Sequence, residues 1–313
     1  MTNSPAWSEF GILGCFSAAA PITNVMTPDQ YCQDKAAKSG SSFYYSFLFL
    51  PPPQRQAITA LYAFCREVDD VVDECSDPSL AATKLEWWRH EIGRLFAGEP
   101  THPVTQSLQT AIGQYDLPQE HFLEIIDGMA MDLEQFSYAS FKDLSLYCYR
   151  VASVVGLMAA EIFGYEDRQT LKYAHQLGMA FQLTNILRDV AEDAARGRIY
   201  LPRDELERFG VSQEEILNHQ SSDKARRLMA FQAQRARDYY QRAFELLPER
   251  DRYRQRSGII MAAIYQATLD EIAKDGYPVL EQRISLTPVR KLWIAWRTAR
   301  QEKRRYHRWQ RQH

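Results

Sequence analysis

The spacing of apolar residues constrains the fold of this chain more than any other feature. From Thr27 onward they recur three or four residues apart, and no convincing stretch alternates apolar and polar residues with β-branched enrichment. Spacings of three and four place side chains on one face of an α-helix, whereas a half-buried strand needs alternation. Turn signals such as PPPQ at 51–54 and RGRIYLP at 196–202 separate roughly ten helical segments. The sequence therefore predicts an all-α fold.

Domain organisation follows from the same pattern. Neither a Ser/Gly-rich linker nor a repeat of fixed period interrupts residues 26–290, which favours one all-helical domain. Residues 1–25 contain an apolar stretch with no Lys or Arg before it, so we expect a disordered leader rather than a signal peptide. The most apolar internal run, VASVVGLMAAEIFG, is short and contains Glu161, so we expect a buried core helix rather than a membrane span.

Charge and cysteine content exclude some classes of function. The 313 residues carry a net charge of -3, which provides no global basic field, so no nucleic-acid partner is expected. The five cysteines are scattered and include no CxxC pair, so neither a disulfide framework nor a zinc site is indicated. Free thiols are typical of a reducing cytoplasm, where we expect the protein to reside.

A first acidic cluster lies in REVDDVVDECSD, residues 66–77. Residues 54–74 are predicted to form one helix, on which Asp69 and Asp73 share a face and Arg66 lies one turn earlier. Two carboxylates four residues apart repel each other, so a positive charge should compensate them. An acidic pair of this kind is, by itself, usually a solvated helix face.

A second cluster lies in FQLTNILRDVAED, where Gln182, Asn185, Asp189 and Asp193 follow spacings of three, four and four. The rest of that helix is strongly apolar, so the polar stripe is predicted to face an enclosed cavity. Oxygen ligands without His or Cys favour Mg²⁺, which completes its coordination with phosphate oxygens and water. A di-iron site would need two Glu-x-x-His pairs, and the sequence holds a single one, Glu99 to His102, within a turn signal. The spacing around 69–74 does not fit an EF-hand.

Four segments carry a family resemblance: SGSSFYYSFLFLP, ALYAFCREVDDVVDE, YCYRVASVVG and QLTNILRDVAEDAARGRIYLP. In this order and at these distances they resemble the squalene and phytoene synthase family, the head-to-head isoprenoid synthases, over nearly all of residues 28–290. Within the family, segments such as HFLEIIDGMAMDLEQ and EIFGY look most like the bacterial presqualene diphosphate synthases of hopanoid biosynthesis.

The resemblance implies a class I isoprenoid synthase bundle around a central cavity, with two or three Mg²⁺ ions bridged by diphosphate. The implied metal ligands are Asp69, Asp73, Asn185, Asp189 and Asp193. The four aspartates and Tyr147 would be catalytic. The implied substrate-binding residues are Arg66, Tyr62, Ser42, Phe43, Phe47, Gln182, Arg188, Tyr200, Tyr265 and Arg283.

The chain departs from the family pattern at three positions. Ser41 stands where Arg or Lys is frequent, which removes a phosphate contact. Ser153 and Ala191 stand where Gly is usual, which puts close helix packing in question.

The implied activity is the Mg²⁺-dependent condensation of two farnesyl diphosphates to presqualene diphosphate, with release of diphosphate and no need for NADPH. Other enzymes of hopanoid biosynthesis would be partners. Phytoene, dehydrosqualene and complete squalene synthases remain open alternatives. A class I terpene cyclase and a non-catalytic helical binding protein are more distant ones.

The C-terminal region 291–313 is predicted to be a basic, Trp-containing helix or tail. Residues 290–311 hold nine Lys or Arg against one Glu, together with Leu292, Trp293 and Trp296. This composition is typical of a helix that lies on an anionic membrane, here the inner face of the plasma membrane. The alternative is a solvated terminal helix that packs through its aromatic residues.

Overall fold

The computed structural model describes residues 26–38, 42–75 and 77–312, except for the side chain of Ser42, and the regular secondary structure of this part is helical apart from one isolated β-bridge. The predicted leader, residues 1–25, and Ser41 lie outside the described residues. The helices are α1 Pro28–Lys38, α2 Ser42–Phe47, α3 Pro52–Glu74, α4 Pro78–Ala97, α5 Pro103–Gln114, α6 Gln119–Glu134, α7 Phe141–Cys148, α8 Val154–Phe163, α9 Gln169–Arg188, α10 Val190–Ala195, α11 Arg203–Phe209, α12 Gln213–Leu217, α13 Asp223–Leu246, α14 Glu249–Arg252, α15 Arg256–Lys274 and α16 Pro288–Gln310.

The all-α prediction is confirmed, and the predicted number of helices is too low. The described residues form sixteen α-helices and a π-helical turn, Tyr149–Ser153, that joins α7 to α8. Several of the additional helices, such as α10, α12 and α14, are no more than six residues long. Helices this short carry too few residues to show a periodic pattern, so sequence periodicity does not reveal them.

Helix α3 follows from its sequence. Proline occupies its first positions, where a missing backbone N–H costs nothing, and the helix runs 23 residues to Glu74. Leu61, Phe64 and Val68 are fully buried on one side, which packs against α1, α5 and α6. The predicted helix over 54–74 is therefore present, with the acidic residues in its last two turns.

Helix α9 is the central element of the fold. Twelve of its twenty residues are buried, and it packs against α8, α13 and α15 as well as the π-helical turn. A helix that is apolar all round belongs in an interior, as the sequence indicated. Its polar stripe therefore faces a cavity inside the protein.

The π-helical turn crosses α9 closely despite the serine at position 153. A Cβ atom at Gly178 would lie 2.6 Å from the Ser153 Cα atom, so the glycine needed for close approach is on α9. The Ser153 hydroxyl is buried and donates to the carbonyl oxygen of His175 at 3.1 Å. Close packing is thus retained here.

Residues Phe141–Phe163 form the one stretch, within the part of the chain described, that is long and apolar enough to cross a membrane by length and composition. Its residues pack against α6 and α9, and 44% of its most apolar window is buried. These contacts fit the predicted core helix.

Two apolar clusters make up most of the interior. One is built mainly from α3, α4, α5, α6 and α8, and the other mainly from α9, α11, α13 and α15. Residues of both clusters line a single large cavity, so the site described next lies between them.

Candidate functional site

The central cavity has a volume of about 770 Å³ and is lined mainly by α2, α3, α8, α9 and α15. Helices α3 and α9 both run from its closed end to its charged end. Eleven residues separate Ile58 from Asp69 and twelve separate Tyr173 from Asn185, and all four line the cavity. At 1.5 Å per residue the cavity is therefore about 17 Å deep. Its volume is in the upper part of the range for ligand sites.

The first acidic cluster lines the charged end. Asp69 and Asp73 both border the cavity. Arg66 donates from Nη1 to Asp69 Oδ2 at 2.5 Å and from Nη2 to Asp70 Oδ1 at 2.6 Å. Asp70 also pairs with the Lys35 ammonium at 2.8 Å. The positive charge that the sequence required is present, and Arg66 belongs to the site as predicted from its position.

The second cluster borders the same end of the cavity. Asn185 comes from the last turn of α9, Asp189 is the single residue between α9 and α10, and Asp193 comes from α10. Arg188 Nε donates to Asp189 Oδ1 at 2.7 Å, and Arg283 Nε lies 3.1 Å from the same oxygen. The five residues predicted as metal ligands thus line one cavity.

Two arginines connect the clusters, and sequence reasoning missed both. Arg196 Nη1 lies 2.9 Å from Asp73 Oδ2, and Arg198 Nη1 lies 3.0 Å from Asp73 Oδ1. These residues follow α10, in the segment that the sequence marked only as a turn. The sequence signal that could have indicated them is the presence of two basic residues within five positions of Asp193.

Asp132 is a further residue that the sequence did not single out. Its carboxylate is buried on α6 and accepts hydrogen bonds from Tyr147 Oη at 2.9 Å and Tyr200 Oη at 2.7 Å. The rings of Tyr147 and Tyr200 stack at 5.1 Å. The two tyrosines, predicted separately, therefore meet on one buried acid.

Crowding of carboxylates shifts their acidity. Burial, and then the charges of Asp73 and Asp70, raises the pKa of Asp69 to about 6 against the opposing effect of Arg66. Burial raises the pKa of Asp132 to about 6, although both tyrosine hydrogen bonds lower it. Burial and the charge of Asp189 raise the pKa of Asp193 to about 7. A nearby positive charge would favour the ionised form of carboxylates whose pKa is raised in this way.

The donor set fits Mg²⁺. Asn185 Oδ1 is buried without a hydrogen-bond partner in the part of the chain described, and it borders the cavity between the aspartates. No three Asp, Glu, His or Cys among the described residues form a ready-made metal cage, because arginines hold the carboxylate oxygens. Mg²⁺ is the cation that uses few protein oxygens and takes the rest from phosphates and water.

Aromatic residues line the cavity below the charged end. Phe43 of α2 is central, with its ring 5.5 Å from Tyr62 and 6.3 Å from both Phe181 and Tyr265. Phe47 and Gln182 also border the cavity. The remaining predicted substrate-binding residues, Arg188, Tyr265 and Arg283, do so too, whereas the side chain of Ser42 lies outside the described part.

The closed end of the cavity is partly polar. Ser257 Oγ donates to Ser46 Oγ at 3.0 Å. Tyr173 Oη is buried without a hydrogen-bond partner among the described residues, and a Cβ atom at Gly258 would lie 2.9 Å from it. The apolar middle of the cavity therefore separates its charged end from an inner end that carries hydroxyl groups.

Comparison with known proteins agrees with this architecture. The family profile described as Squalene/phytoene synthase matches residues 36–290. The 15-cis-phytoene synthase of Synechococcus elongatus is 37% identical over 273 residues, which cover 83% of this chain and 89% of that protein. The corresponding enzyme of Synechocystis sp. is 35% identical over 294 residues, 89% of this chain and 87% of its own.

Solved structures show the same fold. A dehydrosqualene synthase in complex with a ligand superposes with a TM-score of 0.78 at 29% identity, over 88% of this chain and 96% of that one. The squalene synthase HpnC from Alicyclobacillus acidocaldarius superposes with a TM-score of 0.71 at 32% identity, over 80% of this chain and 94% of that one. The fold and the charged cavity define a helical isoprenoid synthase. The chain belongs to the squalene/phytoene synthase family of prenyltransferases, which bind prenyl diphosphates.

Proposed function

We propose that this protein condenses two molecules of farnesyl diphosphate head to head, giving presqualene diphosphate and one free diphosphate. The observation that carries the proposal is the joining of two acidic clusters and five arginines at one end of an aromatic-lined cavity. Diphosphates would bind at the charged end, and the two hydrocarbon tails would lie in the apolar part below it.

The residues at the charged end would prepare one diphosphate to leave. Asp69, Asp73, Asn185, Asp189 and Asp193 would hold Mg²⁺, which would supply Lewis-acid stabilisation of the diphosphate leaving group. Arg66, Arg188 and Arg283, now paired with carboxylates, would turn to diphosphate oxygens, since arginine donates two parallel hydrogen bonds to such groups. Charge stabilisation of a leaving group is the largest contribution that such a site makes.

The middle of the cavity would then control where the allylic cation reacts. The rings of Phe43, Phe181 and Tyr265 keep water away and present aromatic faces, which stabilise a cation. Attack by the C2–C3 double bond of the second substrate on C1 of the ionised substrate would form one bond and leave a cation at C3. Loss of a proton from that same C1 would then supply the electron pair that closes the cyclopropane ring. The released diphosphate accepts that proton in this scheme.

Asp132 would position Tyr147 and Tyr200 at the reaction centre. Both hydroxyl groups donate to its carboxylate, which fixes their direction, and both residues line the cavity. The pKa of Tyr147 is raised well above its ordinary value by burial, so the phenol stays protonated. A neutral, fixed phenol beside a carbocation avoids premature capture by a phenolate oxygen.

A second candidate is the synthesis of phytoene from two geranylgeranyl diphosphates. It is favoured by the names of curated relatives, which include the phytoene synthases of Synechococcus elongatus and Synechocystis sp.. The two candidates share the charged end of the cavity. They differ in the tail length that the apolar part must accept.

Product analysis tests the proposal. The purified protein is incubated with Mg²⁺ and either farnesyl or geranylgeranyl diphosphate, with and without NADPH, and the organic products and free diphosphate are measured. Presqualene diphosphate from farnesyl diphosphate, unchanged by NADPH, is the expected result. Phytoene would favour the second candidate, squalene a complete squalene synthase, and no diphosphate release a binding protein.

A further inference from the structure

Helix α16 presents two contrasting faces. Its inner face packs against α2 and α15, where Ala295 is fully buried. The buried Glu302 accepts hydrogen bonds from Arg252 Nε at 2.8 Å and Arg252 Nη2 at 3.0 Å, and the ring of Tyr306 stacks on Tyr253 at 4.5 Å. These contacts fix the helix along its length, so the outer face keeps a defined orientation.

The outer face of the first half of α16 is apolar and uncovered. Val289, Leu292, Trp293 and Trp296 are 76%, 46%, 53% and 51% exposed. Their spacings of three, four and seven place them on one stripe. Neither tryptophan provides the aromatic packing that a solvated terminal helix would use. An uncovered tryptophan pair on one stripe is typical of an interaction site.

The second half of the same face is cationic. Lys303, Arg304, Arg308 and Arg311 are exposed, and within the described ranges none of them forms an ion pair with a carboxylate. By contrast, Arg305, which points away from this face, pairs with Glu249. Each of the two tryptophans also has an arginine against its ring. The guanidinium group of Arg297 lies 5.2 Å from the ring of Trp293, and that of Arg300 lies 5.3 Å from the ring of Trp296.

The apolar half of this face begins beside the cavity. Leu286, just before α16, and Lys291, in its first turn, both line the cavity together with Arg283. A molecule that binds the outer face would therefore lie next to the charged end of the cavity.

We propose that the outer face of α16 docks on an anionic lipid bilayer. Trp293 and Trp296 would enter the interface between headgroups and acyl chains, a position that indole rings prefer, and the four free cations would lie over lipid phosphates. Nucleic acid fits less well because it offers no apolar layer for the exposed tryptophans, valine and leucine. A second copy of the chain fits less well because two equal faces would bring like charges together.

Sedimentation with lipid vesicles tests this docking. The full chain is mixed with phosphatidylcholine vesicles that contain or lack phosphatidylglycerol. We expect binding to the anionic vesicles only, weakening as salt is raised. Two variants, Trp293→Ser/Trp296→Ser and Lys303→Gln/Arg304→Gln/Arg308→Gln, should each bind more than about tenfold more weakly. The changed residues are exposed, so the helical circular dichroism should stay the same.

Trp87→Ser is the matched control. Trp87 is an exposed tryptophan on α4, 41% accessible, and it also has an arginine, Arg94, against its ring at 5.7 Å. This control should bind anionic vesicles like the unchanged protein. The proposal is overturned if the α16 variants bind as tightly as the control. Equal binding to neutral vesicles, or tighter binding to duplex DNA than to anionic vesicles, would also overturn it.

Discussion

Asp69 and Asp70 are neighbours in sequence with different surroundings. Both pair with Arg66, but only Asp69 borders the cavity, whereas Asp70 is also held by Lys35. Helix geometry alone predicts this difference, because consecutive residues point about 100° apart. A residue four positions on, Asp73, returns to the cavity.

This contrast gives a paired test of the site. Asp69→Asn should lower the rate of diphosphate release at least about 100-fold, because it removes a carboxylate that we propose as a metal ligand at the leaving-group site. Asp70→Asn should change the rate less than about tenfold, because it removes one arm of an ion pair outside the cavity. Steady-state kinetics with farnesyl diphosphate and Mg²⁺ would measure both. Comparable losses in the two variants would contradict the assignment.

A second residue-scale prediction concerns pH. The pKa of Asp193 is raised to about 7, whereas a carboxyl of this type in the unfolded chain titrates near about 4. The folded state therefore holds the proton more tightly, and ionisation of Asp193 lowers the free energy of unfolding as the pH rises from about 4 to about 7.

The Asp193→Asn variant removes this titration. In EDTA, its melting temperature should rise relative to that of the unchanged protein between about pH 5 and pH 7.5. Thermal melts followed by circular dichroism over that range provide the measurement. A constant difference between the two proteins would show that the carboxyl is not shifted. Asp34→Asn, at an exposed position on α1 outside the cavity, is the control for the effect of an Asp-to-Asn change as such.

At the scale of elements, long helices were predictable and short ones were not. The 3.6-residue repeat over 54–74 marked α3, and the apolar character of FQLTNILRDVAED, residues 181–193, marked α9 as internal. Helix α10 has six residues and follows a break at Asp189, which no local pattern announced. The polar stripe from Gln182 to Asp193 continues across this break because α10 begins at Val190, one residue after Asp189. Asp193 therefore still borders the cavity.

The crossing of α9 with the π-helical turn gives an element-scale prediction. Gly178→Ala would place a methyl group 2.6 Å from the Ser153 Cα atom, in contact with backbone that has no room to move. The free energy of unfolding should fall by about 1–3 kcal/mol.

Gly93→Ala on α4 is the matched control. It meets nothing within 4 Å, so replacing a glycine inside a helix should raise the free energy of unfolding by about 0.5–1 kcal/mol. Urea denaturation of the two variants should thus show shifts of opposite sign. A stabilising effect at position 178 would mean that the helices do not approach this closely.

At the scale of the whole molecule, the site depends on contacts that no sequence spacing encodes. Asp73 meets Arg196 and Arg198 although more than 120 residues separate them, and the three bridge the two apolar clusters. Asp132 reaches the site from α6 in the same way. Polar residues that share one face of a helix could be predicted from the sequence, whereas contacts between residues of different helices could not.

These bridging contacts predict cooperative binding of metal and diphosphate. Mg²⁺ alone must displace arginines from Asp69, Asp73 and Asp189, and pyrophosphate alone meets the repulsion of the carboxylates. When both are present, pyrophosphate binds the arginines that Mg²⁺ displaces, and Mg²⁺ neutralises the carboxylates that repel pyrophosphate. The combined shift in melting temperature should therefore exceed the sum of the separate shifts. Differential scanning fluorimetry measures this, and additive shifts would argue against a shared site. Mg²⁺ with chloride in place of pyrophosphate serves as the control.

The hydroxyl groups at the inner end of the cavity suggest how tail length is measured. A hydrocarbon chain that stops short does not reach Tyr173 Oη and the Ser46–Ser257 pair, whereas a longer chain presses methyl groups onto these buried oxygens. Each added isoprene unit would then meet polar oxygens instead of gaining an apolar neighbour. Selectivity for tail length would then come from unfavourable contacts between hydrocarbon and oxygen, and would not need a side chain that blocks the cavity.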